Sequence, residues 1–163
     1  MKKIIITDTK IVDTNKKNDK KIKKNMIVLD KKNHEEYINM IYLNKDFNDK
    51  KKIISHLKSK LNGYKTQDVK KNRYDKNKNI TYDELIEKMV ISKLLCYYCR
   101  CKCLLISNEK RDGLQWTLDR INNDIGHFNN NVVISCLSCN LQKRRRNDDH
   151  FKFLKQMKII KHF

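Results

Sequence analysis

All six cysteines fall between residues 96 and 139, and four of them form two Cys-x-x-Cys pairs, Cys96/Cys99 and Cys136/Cys139. A two-residue spacer lets a tight turn present both sulfurs to one ion while backbone amides hydrogen-bond to them. Four thiolates in two such knuckles suit a structural, tetrahedral Zn²⁺. Cys101 and Cys103 lie outside that scheme; alternating after Cys99, they share one face of a strand, as spare thiols or as substitute ligands if the register differs. Between the knuckles stands a single histidine, His127, next to Gly126. An imidazole titrating near neutrality is suited to act as a general base. Packing in a loop or binding a phosphate would use the same residue.

The elements that must position these groups are short. A β-prone run from Gln115 to Ile121, a turn-rich stretch from Asn122 to Asn130, and a second β-prone run from Asn131 to Ser135 predict a hairpin with a long loop. A helix follows, with Cys139 and Asn140 in its first turn and Lys143 to Arg146 extending it, so that a thiolate-bound ion pins helix to hairpin. Trp116 is expected to pack against the knuckles and this helix. The resulting fold class is a small α+β domain: a zinc-stapled ββα core with flanking helices.

In this arrangement the chain resembles the HNH, or ββα-metal, endonuclease superfamily, in particular its branch with two flanking Cys pairs that includes the recombination endonuclease VII type. The residues that carry the likeness are Cys96/Cys99, Asp119-Arg120, Asn131-Val132-Val133 and Cys136-Leu137-Ser138-Cys139-Asn140, within residues 95 to 146. Similar proteins with Gly-Tyr-Lys-x-Gln-Asp upstream, here Gly63 to Asp68, are common in large DNA viruses. The resemblance implies hydrolysis of DNA phosphodiester bonds, on branched or nicked DNA among other substrates, with Asp119 and Asn140 as ligands of a catalytic Mg²⁺ or Mn²⁺. One carboxylate and one amide oxygen agree with the taste of such ions for oxygen and retained water. Asn131 is implied to tie the loop to the second strand. The chain departs from the family at Arg120, where most members carry the histidine that deprotonates water. A guanidinium cannot do that at neutral pH, though its planar fork can grip the scissile phosphate. His127 then becomes the candidate base.

The net charge of +19 over 163 residues points to a polyanionic partner. Candidate contacts to nucleic acid are Tyr64, Lys65, Gln67, Lys70, Lys71 and Arg73 in a basic stretch after Gly63, and Lys143, Arg144, Arg145 and Arg146 after the second knuckle. A solvated Lys-rich loop explains the first set equally well, and an AT-rich coding sequence also raises the lysine count. The leader-like feature at the start is only Ile4 to Ile6, and no apolar run approaches membrane-spanning length, so the expectation is a soluble, intracellular protein with no membrane partner.

Residues 1–80 are expected to form a basic N-terminal region and residues 81–163 the nuclease domain. Within the first, short β-prone pieces fall at residues 3–12 and Met26 to Leu29, a Lys/Asn run at 15–25, a helix at 35–43 with His34 solvated beside it, and an amphipathic helix from Asp46 to Leu61 capped by Gly63. Thr81 and Glu84 form a capping box that opens a helix to Leu95. Phe151, Leu154, Met157 and Ile160 repeat at helical spacing and predict a closing helix. Double-strand cutting by one such centre would call for a homodimer. A zinc-stapled nucleic-acid-binding protein with an inactive site is the alternative that Arg120 favours.

Overall fold

The computed structural model describes Leu29 and residues 33–157. The pieces expected at 3–12, 15–25 and Met26 to Val28, and Ile160, lie outside the described residues. The elements are α1 (His34–Tyr42), α2 (Lys50–Lys70), α3 (Tyr82–Ile91), β1 (Trp116–Arg120), a 3-10 turn (Asn129–Asn131), β2 (Val132–Cys136), α4 (Leu137–Lys143) and α5 (Asp148–Gln156). Mixed helix with one small antiparallel sheet is therefore the observed class.

β1 and β2 pair in a register that sets Trp116 opposite Cys136 and Arg120 opposite Val132. Because strand side chains alternate, Trp116, Leu118, Val132 and Ile134 bury on one face. Thr117, Asp119 and Ser135 share the other, which meets α4: Asn140 Nδ2 donates to Thr117 Oγ1 at 3.1 Å. One contiguous apolar core runs from Ile38, Ile53 and Leu57 through Leu85 and Met89 to Trp116, Leu118 and Phe151. Residues 50–80 thus share their core with the zinc unit across the boundary expected at 80/81.

The capping box forms as expected: Thr81 Oγ1 accepts from Glu84 N, and Glu84 Oε2 accepts from Thr81 N at 2.8 Å. That helix stops at Ile91, short of Leu95, because Lys93 and Leu94 both take positive φ. The greater correction concerns α2, which does not end at Gly63 but continues to Lys70. A mid-helix glycine costs about 1 kcal/mol relative to alanine. Anchors beyond it offset that cost: the Tyr64 hydroxyl accepts from Leu118 N at 3.1 Å, and Asp68 is 1% exposed. The stretch expected as a basic loop is two further helical turns, ended by Asn72 at φ 54°. Lys60, one turn before Gly63, holds the helix to the hairpin by donating to Trp116 O with its ammonium 4.2 Å from the indole centroid.

Three smaller expectations also change. His34 is buried rather than solvated, its Nδ1 accepting from Leu105 N at 2.7 Å. α4 ends at Lys143, since Arg144 takes φ 52°, ψ −116°, so Arg144 to Arg146 leave the helix instead of prolonging it. In α5 only Phe151 is buried; Leu154 and Met157 are exposed. No helix among the described residues is long and apolar enough to cross a membrane.

Candidate functional site: a four-thiol centre and a buried carboxylate–imidazole pair

The first knuckle is a small hairpin. Cys96 N donates to Cys101 O at 2.8 Å, Arg100 N to Cys96 O at 3.0 Å, and Arg100 turns the chain at φ 61°. Tyr97 N donates to Ile134 O, which ties this knuckle to β2. The second knuckle is the start of α4: Cys136 is its N-cap, and its sulfur accepts from Cys139 N at 3.4 Å. The sulfurs of Cys96, Cys99, Cys136 and Cys139 all lie within 4.8 Å of one another, with Cys99 and Cys136 3.9 Å apart. A Zn–S bond of about 2.3 Å in tetrahedral geometry requires sulfurs about 3.8 Å apart. This donor set fits one zinc ion. Cys101 and Cys103 stand outside the four-sulfur group.

From this staple β1 carries Asp119 inward. Its Oδ2 accepts from the Tyr98 hydroxyl at 2.5 Å and lies 3.2 Å from Lys143 Nζ, whose ammonium also donates to Arg120 O at 2.6 Å. Lys143 is fully buried, so its place is inside the hairpin–helix junction and not against a nucleic-acid backbone. Burial pushes the Asp119 carboxyl above the usual range, while Tyr98, Lys143 and Arg120 oppose that shift. Both bonds go to Oδ2. Among the described residues no group takes Asp119 Oδ1 or Asn140 Oδ1, and neither is among the fully buried polar atoms lacking a partner. A carboxylate oxygen and an amide oxygen are the donor chemistry a small divalent cation accepts when water completes its shell.

The second group converges from three separated segments. Asp68, near the end of α2, accepts from His127 N at 2.7 Å through Oδ2 and lies 2.9 Å from His127 Nδ1 through Oδ1. Asn79 Nδ2 donates to the same carboxylate at 3.2 Å. The His127 ring rests on Tyr64, centroids 4.8 Å apart. Gly126 makes this approach possible: a Cβ there would stand 2.4 Å from Arg73 O and 3.1 Å from Asp68 Oδ2. Asn131 braces the loop from the far side, donating to Asn122 O and Gly126 O and accepting from Asn122 N.

Burial lowers the His127 pKa, with Arg120 acting the same way and Asp68 and Asp119 opposing. At neutral pH the ring is uncharged. With Nδ1–H directed at the carboxylate, the lone pair sits on Nε2. Tyr64, pushed up to about 12 by burial, keeps its proton.

Arg120 Nη1 donates to Ile125 O at 3.2 Å and stands 4.0 Å from Asp68 Oδ1. Burial lowers its pKa and Arg73 adds to that, while Asp68, Asp119 and Asp124 oppose the shift. Lys65, Gln67, Lys70 and Lys71 lie exposed along α2 and its cap, and Arg144, Arg145 and Arg146 lie exposed after α4, where Arg145 meets Asp124 at 2.7 Å. Asp68 and Tyr98 are the site residues that sequence reasoning missed. Asp68 could have been found through its place next to Gln67 in the upstream motif; Tyr98, inside the first knuckle, reads from sequence only as spacer.

A curated protein similar to part of this chain is the uncharacterized protein R423 of Acanthamoeba polyphaga mimivirus, 38% identical over 65 residues. The likeness is to a viral protein. It covers 40% of this chain, and the chain spans only 10% of that relative's length. No protein-family model and no solved structure matches.

Proposed function

We propose that the chain is an HNH-type endonuclease that hydrolyses DNA phosphodiester bonds, with a structural zinc at the four cysteines and a catalytic Mg²⁺ or Mn²⁺ at Asp119 and Asn140. The observation that carries this reading is the buried Asp68–His127 pair, with His127 in the hairpin loop that follows Asp119 and Arg120. A buried carboxylate that holds one imidazole nitrogen and leaves the other for a proton is the arrangement a hydrolytic base requires.

In this reading Asp68 fixes the ring and its tautomer, and Nε2 of His127 removes a proton from the attacking water. Arg120 and Arg73 hold the non-bridging oxygens of the scissile phosphate. Lys143 and Tyr98 orient Asp119 through Oδ2, leaving Oδ1 to the cation. When bound, that cation supplies neutralisation of charge on the phosphate and support for the leaving 3′ oxygen. The lysines of α2 and Arg144 to Arg146 carry the flanking backbone, each phosphate contact steepening the salt dependence by about 0.9 in log–log slope.

A second reading, a zinc-stapled DNA-binding protein without turnover, is favoured by Lys143, which already neutralises one oxygen of Asp119. Nicking of supercoiled plasmid in Mg²⁺ or Mn²⁺ separates the two. The enzyme reading expects His127→Ala to lose about 10²–10⁴-fold in rate, the usual worth of a general base, at unchanged DNA affinity. Unchanged turnover in that variant overturns the role of His127, and a wild type that binds without nicking leaves the second reading.

A further inference from the structure

His127 also lines a cavity of about 220 Å³ between α2 and the segment that follows Arg73, together with Tyr64, Lys65, Tyr74 and Lys76. Tyr74 is half-buried, yet its ring is absent from the apolar core and from the residues packed on it. Its neighbour is the Lys65 ammonium, 5.0 Å from the ring centroid. Lys65 and Lys76 are exposed and make no ion pair among the described residues. Asn79 and Thr81, which also border the cavity, have their side chains committed to Asp68, Asp75 and Glu84. The groups the cavity offers a ligand are thus the Tyr74 ring with the Lys65 ammonium beside it, the Lys76 ammonium, the Asn62 amide and the imidazole.

An aromatic face beside cations suits a nucleobase and its phosphate, because every base offers a π face and every phosphate an anion. The volume lies below the roughly 300 Å³ at which whole small-molecule pockets begin, so it has room for one base and not for an extended ligand. A base still paired in a duplex cannot enter. We propose that this cavity is a subsite for a single unpaired nucleotide of the DNA strand, its base against Tyr74 and its phosphate between Lys65 and Lys76. The site would then select DNA with an extruded or unpaired nucleotide next to the scissile bond. This rests on the nuclease reading, since it assumes that a DNA strand passes His127.

Binding by fluorescence anisotropy, in Ca²⁺ to prevent turnover, tests it with three oligonucleotide duplexes: fully paired, with a one-nucleotide bulge, and with the same bulge made abasic. The wild type is expected to bind the bulged duplex at least about fivefold more tightly than either control, the lower end of what one base stacked on an aromatic ring contributes. Tyr74→Ala should abolish that preference while keeping affinity for the paired duplex, and Tyr74→Phe should restore it. An equal preference in Tyr74→Ala, or none in the wild type, overturns the subsite. If the wild type nicks plasmid yet shows no preference, the subsite alone falls; if it binds none of the three, the nuclease reading falls with it.

Discussion

Replacing Asp68 by asparagine separates the fold from the chemistry. The carboxylate receives His127 N and Asn79 Nδ2 on Oδ2 and faces His127 Nδ1 with Oδ1. An asparagine that places its oxygen where Oδ2 was keeps the first two bonds, and its amide nitrogen then faces Nδ1. The ring can satisfy that donor only by accepting at Nδ1 and carrying its proton on Nε2, which is the wrong tautomer for a base. Every hydrogen bond survives, so the loss in stability is the difference between charged and neutral bonds, about 1–2 kcal/mol. The loss in rate should be that of a general base, on the order of 10²–10⁴. Without Asp68, which favours the protonated ring, His127 should titrate lower still. Plasmid nicking gives the rate, thermal unfolding the stability, and ¹⁵N chemical shifts of the imidazole the tautomer. Full activity in Asp68→Asn, or an Nε2 that still lacks its proton, would show that Asp68 does not set the tautomer of a catalytic base.

Three further outcomes follow from the same contacts. Removal of zinc by a strong chelator should unfold the core, since thiolate sites of this kind supply on the order of 10–16 kcal/mol in small modules; circular dichroism before and after chelation reads it, and an unchanged spectrum would count against the zinc. Gly126→Ala should drive the loop off Arg73 O and Asp68 Oδ2 and cost both stability and nicking, whereas Gly63→Ala, with nothing within 4 Å of its added carbon, should stabilise by roughly 0.5–1 kcal/mol in denaturant titration. The pKa of His127 is depressed in the folded state. Below about pH 6.5 the unfolded chain takes up a proton that the native ring refuses, so its contribution to stability is complete above that pH and is lost as pH falls. Nicking should rise with pH along a limb centred below 6.5 and be level at neutrality, with Asp68, Tyr64, Arg120 and Asp119 as the groups that set the midpoint.

The parts of this site that can be read from the chain are those in which spacing alone dictates geometry. Two x2 cysteine spacers, an alternating run on each side of a turn-rich stretch, and Thr81 with Glu84 are local instructions, and the knuckles, hairpin and capping box follow them. What could not be read depends on contacts between distant segments. Gly63 looks like a helix stop because local propensity is all the sequence displays there. The helix passes through it because Tyr64 and Asp68 are held on the other side, by Leu118 and His127. Lys143 reads as one more cation in a basic run, yet it is the residue of that run whose helical position faces Asp119. His34 reads as solvated for the same reason, since its partner Leu105 is 71 residues away.

In the proposed reaction Asp119 and Asn140 hold one cation for the hydrolysis that His127 initiates. Plasmid nicking by the zinc-loaded protein, with Mg²⁺ or Mn²⁺ titrated against Asp119→Asn and Asn140→Ala, measures it most directly. Metal-dependent nicking is expected in the wild type and its loss in both variants, with zinc content and DNA affinity retained. Nicking at the wild-type rate and metal dependence in either variant would contradict it.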